Sequence, residues 1–553
     1  MKHFAFVFIG MTFHATTYAQ ATRDTVKNLG DEDVYVVKAY QPTLSDAVKI
    51  SDMPGADTTT FADPDFKYAI DPKKIETNFN STPIKPVKIK DDNIKLLNKG
   101  YVKAGYGTKN TPYIEAYYNA LRSKEFDAGV HLKHLSSTGP IKNYGKTDNG
   151  NSGLELFGKK YGDLGTLRAG LDLNRNMVHY YGYDREQTIY SKAETKQVFS
   201  GVGGNVGFDN SVNKDAEWKF DAGLSFYAYS GKRDTNKTSE SNVVFDGLLK
   251  KKIYEKDASA ALKIDYVNTK MPFFEDYQST IIGLYPRYTF DLPTFRFIVG
   301  LNTELETGQV NEFHIYPHAE ARYKLASDIL MIHAQITGGL ERNTYKSMTA
   351  ENPFTNDLVF PGNTNNKVDV SGGLNVKLDK EILFTADVRY NRLTNAMYFV
   401  NDSVSALDYT TFSNVYDDAN VFTLHGELQF ERNEKFTTHV GATYTSNKPD
   451  SLAKAWFVPA LEVNLGGNII LRDKIIFKAD MFYRGERFAP GYGGVESVKL
   501  KGYFDANIGC EYRYSKMLSV FLNVNNIGSV QYFNWYNYPS YRFQVLGGLT
   551  LSF

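Results

Sequence analysis

The chain has 553 residues, and its 63 Lys plus Arg balance 63 Asp plus Glu, so nothing points to a nucleic-acid or anionic-surface partner. The single cysteine, Cys510, excludes an internal disulfide and any zinc site built from cysteines. Aromatic residues reach 14%, with 39 Tyr and 37 Phe beside 44 Gly, and this composition indicates an all-β protein.

The first residues, MKHFAFVFIGMTFHATTYAQA, are typical of a signal peptide. Lys2 forms a short basic start, an apolar run extends from Phe4 to Phe13, and Thr17 and Ala19 precede a plausible cleavage position. A membrane anchor is disfavoured because this run is about half of the roughly 20 residues that a spanning helix needs. We therefore expect residues 1–19 to direct export.

Residues 20–98 have the composition of an extended or disordered segment, rich in Pro and charge and poor in alternation. We expect this segment to be periplasmic or lumenal. Within it, DEDVYVVKAYQP contains three acidic residues followed by four β-forming residues: Val34, Tyr35, Val36 and Val37. Such a stretch is able to add a strand to the sheet of a partner. A strand inside the protein, or a short linker, fits the same four residues.

From residue 99 onward, apolar and polar residues alternate. In EWKFDAGLSFYAY, Phe220 and Leu224 fall on one face, and Lys219 and Asp221 on the other. Side chains of a strand point to opposite faces in turn, so one face is apolar and one polar. The same alternation recurs in KIIFKADMFYRG, in FRFIVGLNTELE and in the last residues of the chain.

The connectors between these strands alternate in length. Ten short polar turns, such as GDLG and EKDA, separate longer irregular connectors, among them 342–366 and 400–417. Short turns at one end and long loops at the other are typical of bacterial outer-membrane barrels. Ten turns predict an antiparallel transmembrane β-barrel of about 22 strands over residues 99–553, within a range of 16 to 22.

Three prolines lie early in strands that lead away from the long connectors: Pro286, Pro317 and Pro459. Because proline lacks the N–H that a sheet ladder uses, we expect a β-bulge near each of them.

No pattern of residues supports catalysis. His314 and His318 share the predicted lumen face with Glu320, but four residues along a strand separate the two imidazoles by roughly 13 Å. That is too far to share one metal ion bound at about 2 Å, so a hydrogen-bonded wall is the better interpretation. Serine residues form no nucleophile elbow. We expect no catalytic, metal or cofactor site and no enzymatic activity.

The chain ends on the alternating stretch YRFQVLGGLTLSF. We expect its odd-numbered residues to face lipid, namely Tyr541, Phe543, Val545, Gly547, Leu549, Leu551 and Phe553. Residues with an aromatic terminus and alternate apolar positions before it resemble the C-terminal assembly signal of outer-membrane proteins. The residues that carry this resemblance are Phe543, Val545, Leu549, Leu551 and Phe553. The resemblance implies capture by the barrel assembly machinery during insertion.

The stretch from Tyr503 to the end resembles the last three strands of TonB-dependent receptor barrels. The matching elements are the paired strands about YSKM, the VNNI that ends one strand, the aromatic YFNWYNYP loop and the closing strand. The resemblance implies a location in the bacterial outer membrane and import of a solute such as a siderophore or glycan. It also implies that Val34–Val37, after their acidic residues, pair with TonB.

The N-terminal region departs from that family, whose plug domain has well over a hundred residues, because residues 20–98 number only 79. We therefore expect a plug-poor or plugless member. Two functions remain. The first is transport of an unidentified solute across the outer membrane. The second is a non-transporting barrel subunit, or scaffold, that docks with lipoproteins or periplasmic partners.

Overall fold

The computed structural model describes residues 98–120, 123–325, 329–357, 359–402, 410–433, 435–491 and 496–553. The expected signal peptide 1–19, the expected segment 20–98 except its last residue, and Val34–Val37 lie outside the described residues. The first strand begins at Gly100, next to the barrel boundary expected at residue 99.

Alternating apolar and polar residues form a long series of strands. The first nineteen wall strands, in chain order, are β1 (Gly100–Gly107), β2 (Thr111–Asn119), β3 (Phe126–Ser137), β4 (Asn149–Gly162), β5 (Gly165–His179), β6 (Lys196–Asp209), β7 (Trp218–Arg233), β8 (Asn236–Ile253), β9 (Lys256–Lys270), β10 (Tyr277–Asp291), β11 (Phe295–Gly308), β12 (Glu312–Leu325), β13 (Leu330–Asn343), β14 (Gly362–Asp379), β15 (Ile382–Asn401), β16 (Phe412–Arg432), β17 (Phe436–Pro449), β18 (Leu461–Leu471) and β19 (Ile475–Arg484).

The remaining elements complete the wall and decorate one end. Three more wall strands are β22 (Tyr503–Arg513), β23 (Leu518–Asn525) and β26 (Gln544–Ser552). Two short hairpins lie in the connections, formed by β20 (Arg487–Pro490) with β21 (Ser497–Leu500), and by β24 (Phe533–Trp535) with β25 (Tyr538–Pro539). The helices described are α1 (Lys192–Thr195) and α2 (Tyr345–Glu351). Within the described ranges, neither helix has the length and apolarity to cross a membrane.

The wall closes into a ring because the last strand pairs with the first. Residues 101–107 of β1 pair antiparallel with residues 546–552 of β26. The described residues form one 22-stranded sheet, which confirms the expected transmembrane antiparallel barrel and its strand count. At this seam Gly105 lies opposite Gly548, and a Cβ on Gly548 would overlap the Ala104 carbonyl oxygen. Glycine therefore permits the close approach of the two end strands.

The two faces of the wall differ as the alternation predicts. In β7, Phe220, Leu224 and Phe226 are exposed on the outer face, whereas Asp221 and Tyr227 are half-buried on the lumen face. An apolar outer band around a closed barrel suits a lipid environment, since lipid chains remove these apolar side chains from water.

The connections at the two ends differ in length. At one end, here the short-turn end, they range from two residues (163–164) to eight (210–217). At the other, the long-loop end, the long connections include 344–361 and 402–411, as expected from the sequence. Two further long connections, 450–460 and 485–502, also lie there and were not singled out from the sequence. All large insertions therefore gather at one mouth of the barrel.

The expectation of bulges at the prolines is wrong. The β9–β10 ladder passes without a shift through Pro286, and the β11–β12 ladder passes without a shift through Pro317. Pro459 precedes β18 and lies in a connection. Leu301 lies opposite Pro317, which has no N–H to donate. The Leu301 carbonyl instead accepts a hydrogen bond from the Arg287 guanidinium (Nη1–O 2.6 Å).

Apart from a shift at Lys377/Asp379 near the short-turn end, the register shifts of the wall lie along one line across three neighbouring strand pairs. The register shifts at Thr337/Gly339 between β13 and β14, at Asn366/Val368 between β14 and β15, and at Leu393/Ala396 between β15 and β16. Gly339 pairs with Asn366, which pairs with Leu393, so the shifts are adjacent. Bulges bend strands. We call this line the crease.

Beyond the crease, the upper parts of β13–β16 and the described parts of their connections form a unit of residues 338–357, 359–366, 394–402 and 410–418, which we call the flap. The ladder between β12 and β13 covers only residues 319–325 and 330–336. Residues 312–318 of β12 pair with β11 but not with β13, although both strands are fully described. The flap has thus left the wall at this position.

Candidate functional site

The flap lies across the long-loop mouth and packs against connections from the far side of the ring. Phe354 of the flap stacks on Tyr538 with ring centroids 3.7 Å apart, and Phe412 contacts Trp535 edge-on at 5.4 Å. Phe457, from the connection after β17, contacts the same Trp535 at 5.0 Å. These rings are buried. Buried aromatic pairs of this kind stabilise beyond their apolar area, so the mouth has a packed core of its own.

Hydrogen bonds join the same regions. The Tyr180 hydroxyl, just after β5, donates to the Thr355 carbonyl at 2.8 Å, and the Tyr538 hydroxyl donates to the Thr410 carbonyl. Since β5 and β16 lie nearly opposite in a ring of 22 strands, the flap spans the lumen from wall to wall.

One arginine lies inside this core. Arg487 of β20 is only 1% exposed, and its guanidinium donates to the carbonyls of Phe533 (2.6 Å) and Asn534 (3.0 Å) while lying over the Tyr503 ring. Burial lowers the pKa of Arg487 to about 10. The group still carries its charge at neutral pH, and the two carbonyls and the ring offset part of its lost hydration. Arg487 therefore joins the β20–β21 hairpin to the last connection.

Helix α2 attaches the flap to the wall at Glu240 of β8. The Glu240 carboxylate accepts hydrogen bonds from the backbone N–H of Tyr345 (2.7 Å) and of Lys346 (3.1 Å), at the start of the helix. It also accepts from the hydroxyls of Tyr227 and Thr269, each at 2.8 Å. First-turn N–H groups of a helix have no intrahelical acceptor, and a carboxylate satisfies them well. Glu240, 2% exposed, is thus saturated by donors.

Further carboxylates of the inner wall hold the flap along its length. Glu304 of β11 accepts the backbone N–H of Leu340 at 2.7 Å, and Glu306 accepts the side-chain amide of Asn363 at 2.6 Å. The Arg342 guanidinium pairs with Asp265 of β9 at 3.3 Å. The flap strand therefore crosses the lumen side of β11 and β9 before α2 reaches β8. Each of these acidic side chains is buried beneath it: Glu304, Glu306 and Asp265.

The end of α2 and the residues after it rest on β7. The Tyr229 hydroxyl is 2.8 Å from the Thr349 hydroxyl, and the Arg233 guanidinium lies 3.3 Å from the buried Asp357 carboxylate. Burial raises the pKa of Asp357 above its ordinary value of 3.8, and Arg233 opposes that shift. A Cβ on Gly231, between these contacts, would overlap the hydroxyl of Tyr345. Glycine is required there for the helix to dock.

A cleft of about 1140 Å³ opens at the rim beside the flap. Lys109, Lys142 and Arg542 line it together with one carboxylate, Asp184. Asp184 accepts a backbone hydrogen bond from Glu186 at 2.9 Å. The cleft thus presents an excess of positive charge among tyrosine and amide side chains, in a volume sufficient for a small organic ligand.

The predicted assembly residues lie mainly on the outer surface of the last strand. Phe543, Leu549, Leu551 and Phe553 are exposed, and Val545 is half-buried. The backbone of Phe553 exchanges two hydrogen bonds with Gly100, at 3.0 and 3.1 Å. The expectation that Tyr541 faces lipid is wrong. Its side chain is buried, and its hydroxyl donates to the carbonyl of Gly139 because the β3–β4 connection folds over it.

The histidines on the wall take part in hydrogen bonds, as the sequence indicated. His318 Nδ1 lies 3.2 Å from the Thr337 hydroxyl, and His314 Nδ1 lies 3.3 Å from the Asn365 amide. Glu320 pairs with Arg322. Among the described residues, no group of three or more His, Cys, Asp or Glu side chains is placed to hold a metal ion.

The sequence did not indicate the contacts that close the mouth. Trp535 and Tyr538 lie in the aromatic YFNWYNYP stretch, which had been interpreted only as a loop of the last strands. Glu240 and Glu304 occupy ordinary lumen positions in their strands, where acidic residues are common. A local signal was present only in the helix-capping residues Thr344 and Ser347, which form a reciprocal cap at the start of α2.

Solved structures with a similar fold include an iron transporter and two receptors. The FrpB iron transporter of Neisseria meningitidis aligns with a TM-score of 0.65 at 10% identity, over 83% of this chain and 82% of that chain. The ferric-catecholate import receptor Fiu of E. coli K12 aligns at 0.62 and 12% identity, over 83% and 82%. The ferripyoverdine receptor of the Pseudomonas aeruginosa outer membrane aligns at 0.60 and 13% identity, over 83% and 72%.

These alignments confirm the resemblance to TonB-dependent receptors at the level of the barrel fold. No protein-family model and no curated protein sequence matches the chain. Identities of 10 to 13% leave the solute and the partners to be inferred from the site itself.

Proposed function

We propose that the protein admits a solute across the bacterial outer membrane through a mouth that its own flap closes. The observation that carries this proposal is the docking of the flap on wall carboxylates from β11 to β8, Glu304 to Glu240. The flap also contacts Tyr180 and Tyr538 elsewhere around the mouth. A permanently open diffusion pore is incompatible with that geometry, because the flap occupies the mouth. Passage therefore requires the flap to move.

The contacts between flap and wall suit reversible movement. They include hydrogen bonds and two ion pairs, Arg342 with Asp265 and Asp357 with Arg233. Each hydrogen bond contributes only about 1 kcal/mol net because water replaces it on opening. The carboxylates Glu240, Glu304 and Glu306 then become hydrated by the lumen. Apolar burial is lost in two places when the flap leaves. One is the aromatic contact of Phe354 with Tyr538, and the other is Tyr345 of α2, which packs against Phe199 and Tyr229 of the wall.

The fold supports a location in the outer membrane and a role in import, since the structural neighbours are named as an iron transporter and as ferric-catecholate and ferripyoverdine receptors. We extend to this chain only the coarser property, import of a solute across the outer membrane. The cationic cleft at Lys109, Lys142 and Arg542 favours a solute that carries negative charge. Ferric chelates are the first class to test.

The test is uptake of ⁵⁵Fe bound to a ferric catecholate or to ferripyoverdine, in a bacterial strain that lacks its own receptors for both. We expect energy-dependent uptake above the empty-vector strain. The control is a variant in which a short Gly-Ser linker replaces residues 344–361. We expect this variant to admit the ⁵⁵Fe chelate even when the cells are de-energised. Radiolabelled anionic glycans are tested as a second solute class in the same strain. If a correctly assembled wild-type barrel takes up neither the ferric chelates nor the glycans, the transport proposal is contradicted.

A scaffold role is the second candidate, and the packed core around Trp535 favours it. Phe399, Phe412 and Phe457 each lie within 5.4 Å of that ring, as in a permanently closed structure. A scaffold predicts that fixed lipoproteins or periplasmic partners co-purify in constant proportion with the barrel. It also predicts that cross-linking the flap shut leaves cell growth unaffected, whereas a transporter loses uptake.

We propose in addition that Val34, Tyr35, Val36 and Val37 contact TonB or another periplasmic partner, and that residues 20–98 replace a full plug. The sequence supports both proposals through its acidic-then-β pattern and its 79-residue length. Deletion of residues 31–37 should abolish energised uptake and leave barrel assembly intact. Unchanged uptake in that deletion would contradict the proposed contact with TonB.

We propose that the last strand also serves the barrel assembly machinery, through Phe543, Val545, Leu549, Leu551 and Phe553. Their exposure on the outer face leaves them accessible before closure. A Phe553→Ala variant should slow assembly in cells, measured as heat-modifiable barrel over time. A matched change at the exposed Tyr514 of a short turn should not.

A further inference from the structure

Among the residues that the structure describes, no strand pairs with the second edge of the upper half of β12. Residues 312–318 pair with β11 on one side, and on the other side the ladder to β13 stops at Ala319. Phe313 and Ile315 on this edge are 62% and 59% exposed, compared with 45% for Leu301 and 38% for Leu305 on the adjacent strand. The extra exposure reflects the missing strand beside them.

A bare edge of this kind is costly in a membrane barrel. Backbone N–H and C=O groups that face hydrocarbon have no water to bond, and each unsatisfied group costs several kcal/mol. Closed barrels exist because every edge finds a partner. A strand added along residues 312–318 would satisfy the backbone groups of this edge.

The chain contains a segment of matching length in the flap. Residues 337–343 of β13 number seven, as do residues 312–318 of β12. The existing ladder pairs Ala319 with Ile336, and continuation of that register places Leu340 opposite Ile315. No change in the lower half of either strand is needed for this pairing.

The sequence of β13 is also patterned as an uninterrupted wall strand. Ile332, Ala334, Ile336, Gly338 and Leu340 share one face when the strand is straight, so the apolar alternation continues through the crease. In the closed state this half of β13 is instead held on the lumen side by Asn302 and Glu304. Asn302 donates to the Gly338 carbonyl at 2.6 Å, and Glu304 accepts from the Leu340 N–H.

We infer that the upper half of β13 has two alternative partners, the side chains of β11 in the closed state and the free edge of β12 in an open state. Opening is a bend at the crease that returns residues 337–343 to the wall, where they complete the ladder with residues 312–318. The backbone bonds gained on β12 offset the side-chain bonds lost on β11. The inference rests on the proposed gating function and specifies how the gate moves.

The test is a disulfide that can form only in the open state. In a Cys510→Ser background, we combine Ile315→Cys with Leu340→Cys and oxidise the protein mildly in native membranes. Ile315 faces outward and the Leu340 backbone is bonded on the lumen side of β11, so the wall separates them while the flap is closed. We expect the disulfide to accumulate as the flap opens.

The matched control combines Ile315→Cys with Glu341→Cys, since residue 341 faces the lumen in the continued register and should not cross-link. Adding Glu304→Ala to the first pair should raise its cross-linking rate about fivefold, the effect of losing one ordinary hydrogen bond. Equal rates for the two pairs, or no bond in either pair with Glu304→Ala present, would overturn the inference. So would cross-linking of residue 315 to a different protein.

The outcome is independent of solute transport. If the 315–340 bond forms but no tested solute enters, the two-partner strand stands and the transport proposal fails. If energised uptake occurs and the bond never forms in cells during uptake, the gate opens by another route and the inference fails.

Discussion

The wall has two boundaries that differ instructively, the seam between β1 and β26 and the boundary between β12 and β13. At the seam, strands from opposite ends of the chain pair along all of residues 101–107. At the second boundary, strands that follow each other in the chain pair along only residues 319–325 of β12. Proximity in sequence therefore does not decide where the wall is complete. The competing contacts available to each strand decide it.

The difference lies in what surrounds each strand. The seam strands are short and rich in glycine, and β26 offers β1 its full edge. The strands β14–β16 are long, with 18, 20 and 21 residues, and their upper parts extend past the ladder between β12 and β13. Excess length beyond the wall must fold somewhere, and here it folds inward onto acidic side chains of the lumen.

The largest effect is expected at the seam. Gly548→Val places a side chain against the Ala104 carbonyl and should prevent closure, lowering the yield of heat-modifiable barrel more than about tenfold. Gly426→Val is the matched control, since no atom lies within 4 Å of a Cβ at that position of β16. Equal yields for the two variants would show that the seam accommodates a valine side chain at residue 548, contrary to this prediction.

The next effect is expected at the flap. Gly231→Leu should displace Tyr345, release α2 from β7 and produce a steady conductance in planar bilayers where the wild type is silent. Gly223→Leu, on the same strand, meets only the Val206 carbonyl at 3.8 Å and should remain silent. Conductance in the wild type itself would contradict a closed mouth.

A smaller effect is expected from Glu240→Gln. One amide oxygen must replace a carboxylate that accepts from four donors, so the closed state should lose about 2 kcal/mol. Hydrogen exchange at the Tyr345 amide should then accelerate roughly 30-fold. Glu431→Gln, an exposed residue near the short-turn end, should leave that exchange unchanged.

The smallest effect concerns pH. Burial raises the pKa of Asp357 in the closed flap, so the closed state binds the proton more tightly than an open state with hydrated Asp357. This contribution is fully present below the ordinary value of 3.8 and is lost as pH rises through the raised value. Flap opening, followed by a fluorophore on an exposed flap residue, should increase over that interval. Asp357→Asn should remove the increase.

Several features of the fold were predictable because they depend on neighbouring residues alone. The alternation in β7 predicted which side chains face outward, and the succession of short turns predicted 22 strands. The rim was less predictable. Tyr541 continues the alternation of the last strand, yet it lies under the β3–β4 connection, because a loop from elsewhere in the chain provides its acceptor.

The sequence by itself determined a 22-stranded antiparallel barrel with an apolar outer face, since strand periodicity and turn chemistry are local properties. Only the tertiary structure decided that β13 bends at Thr337/Gly339. Its apolar alternation continues straight through that point, but Asn302 and Glu304 of another strand offer its backbone stronger partners inside the lumen. Asn302 and Glu304 reach β13 only when β11 and β13 are assembled on either side of β12, so this contact is a property of the folded sheet.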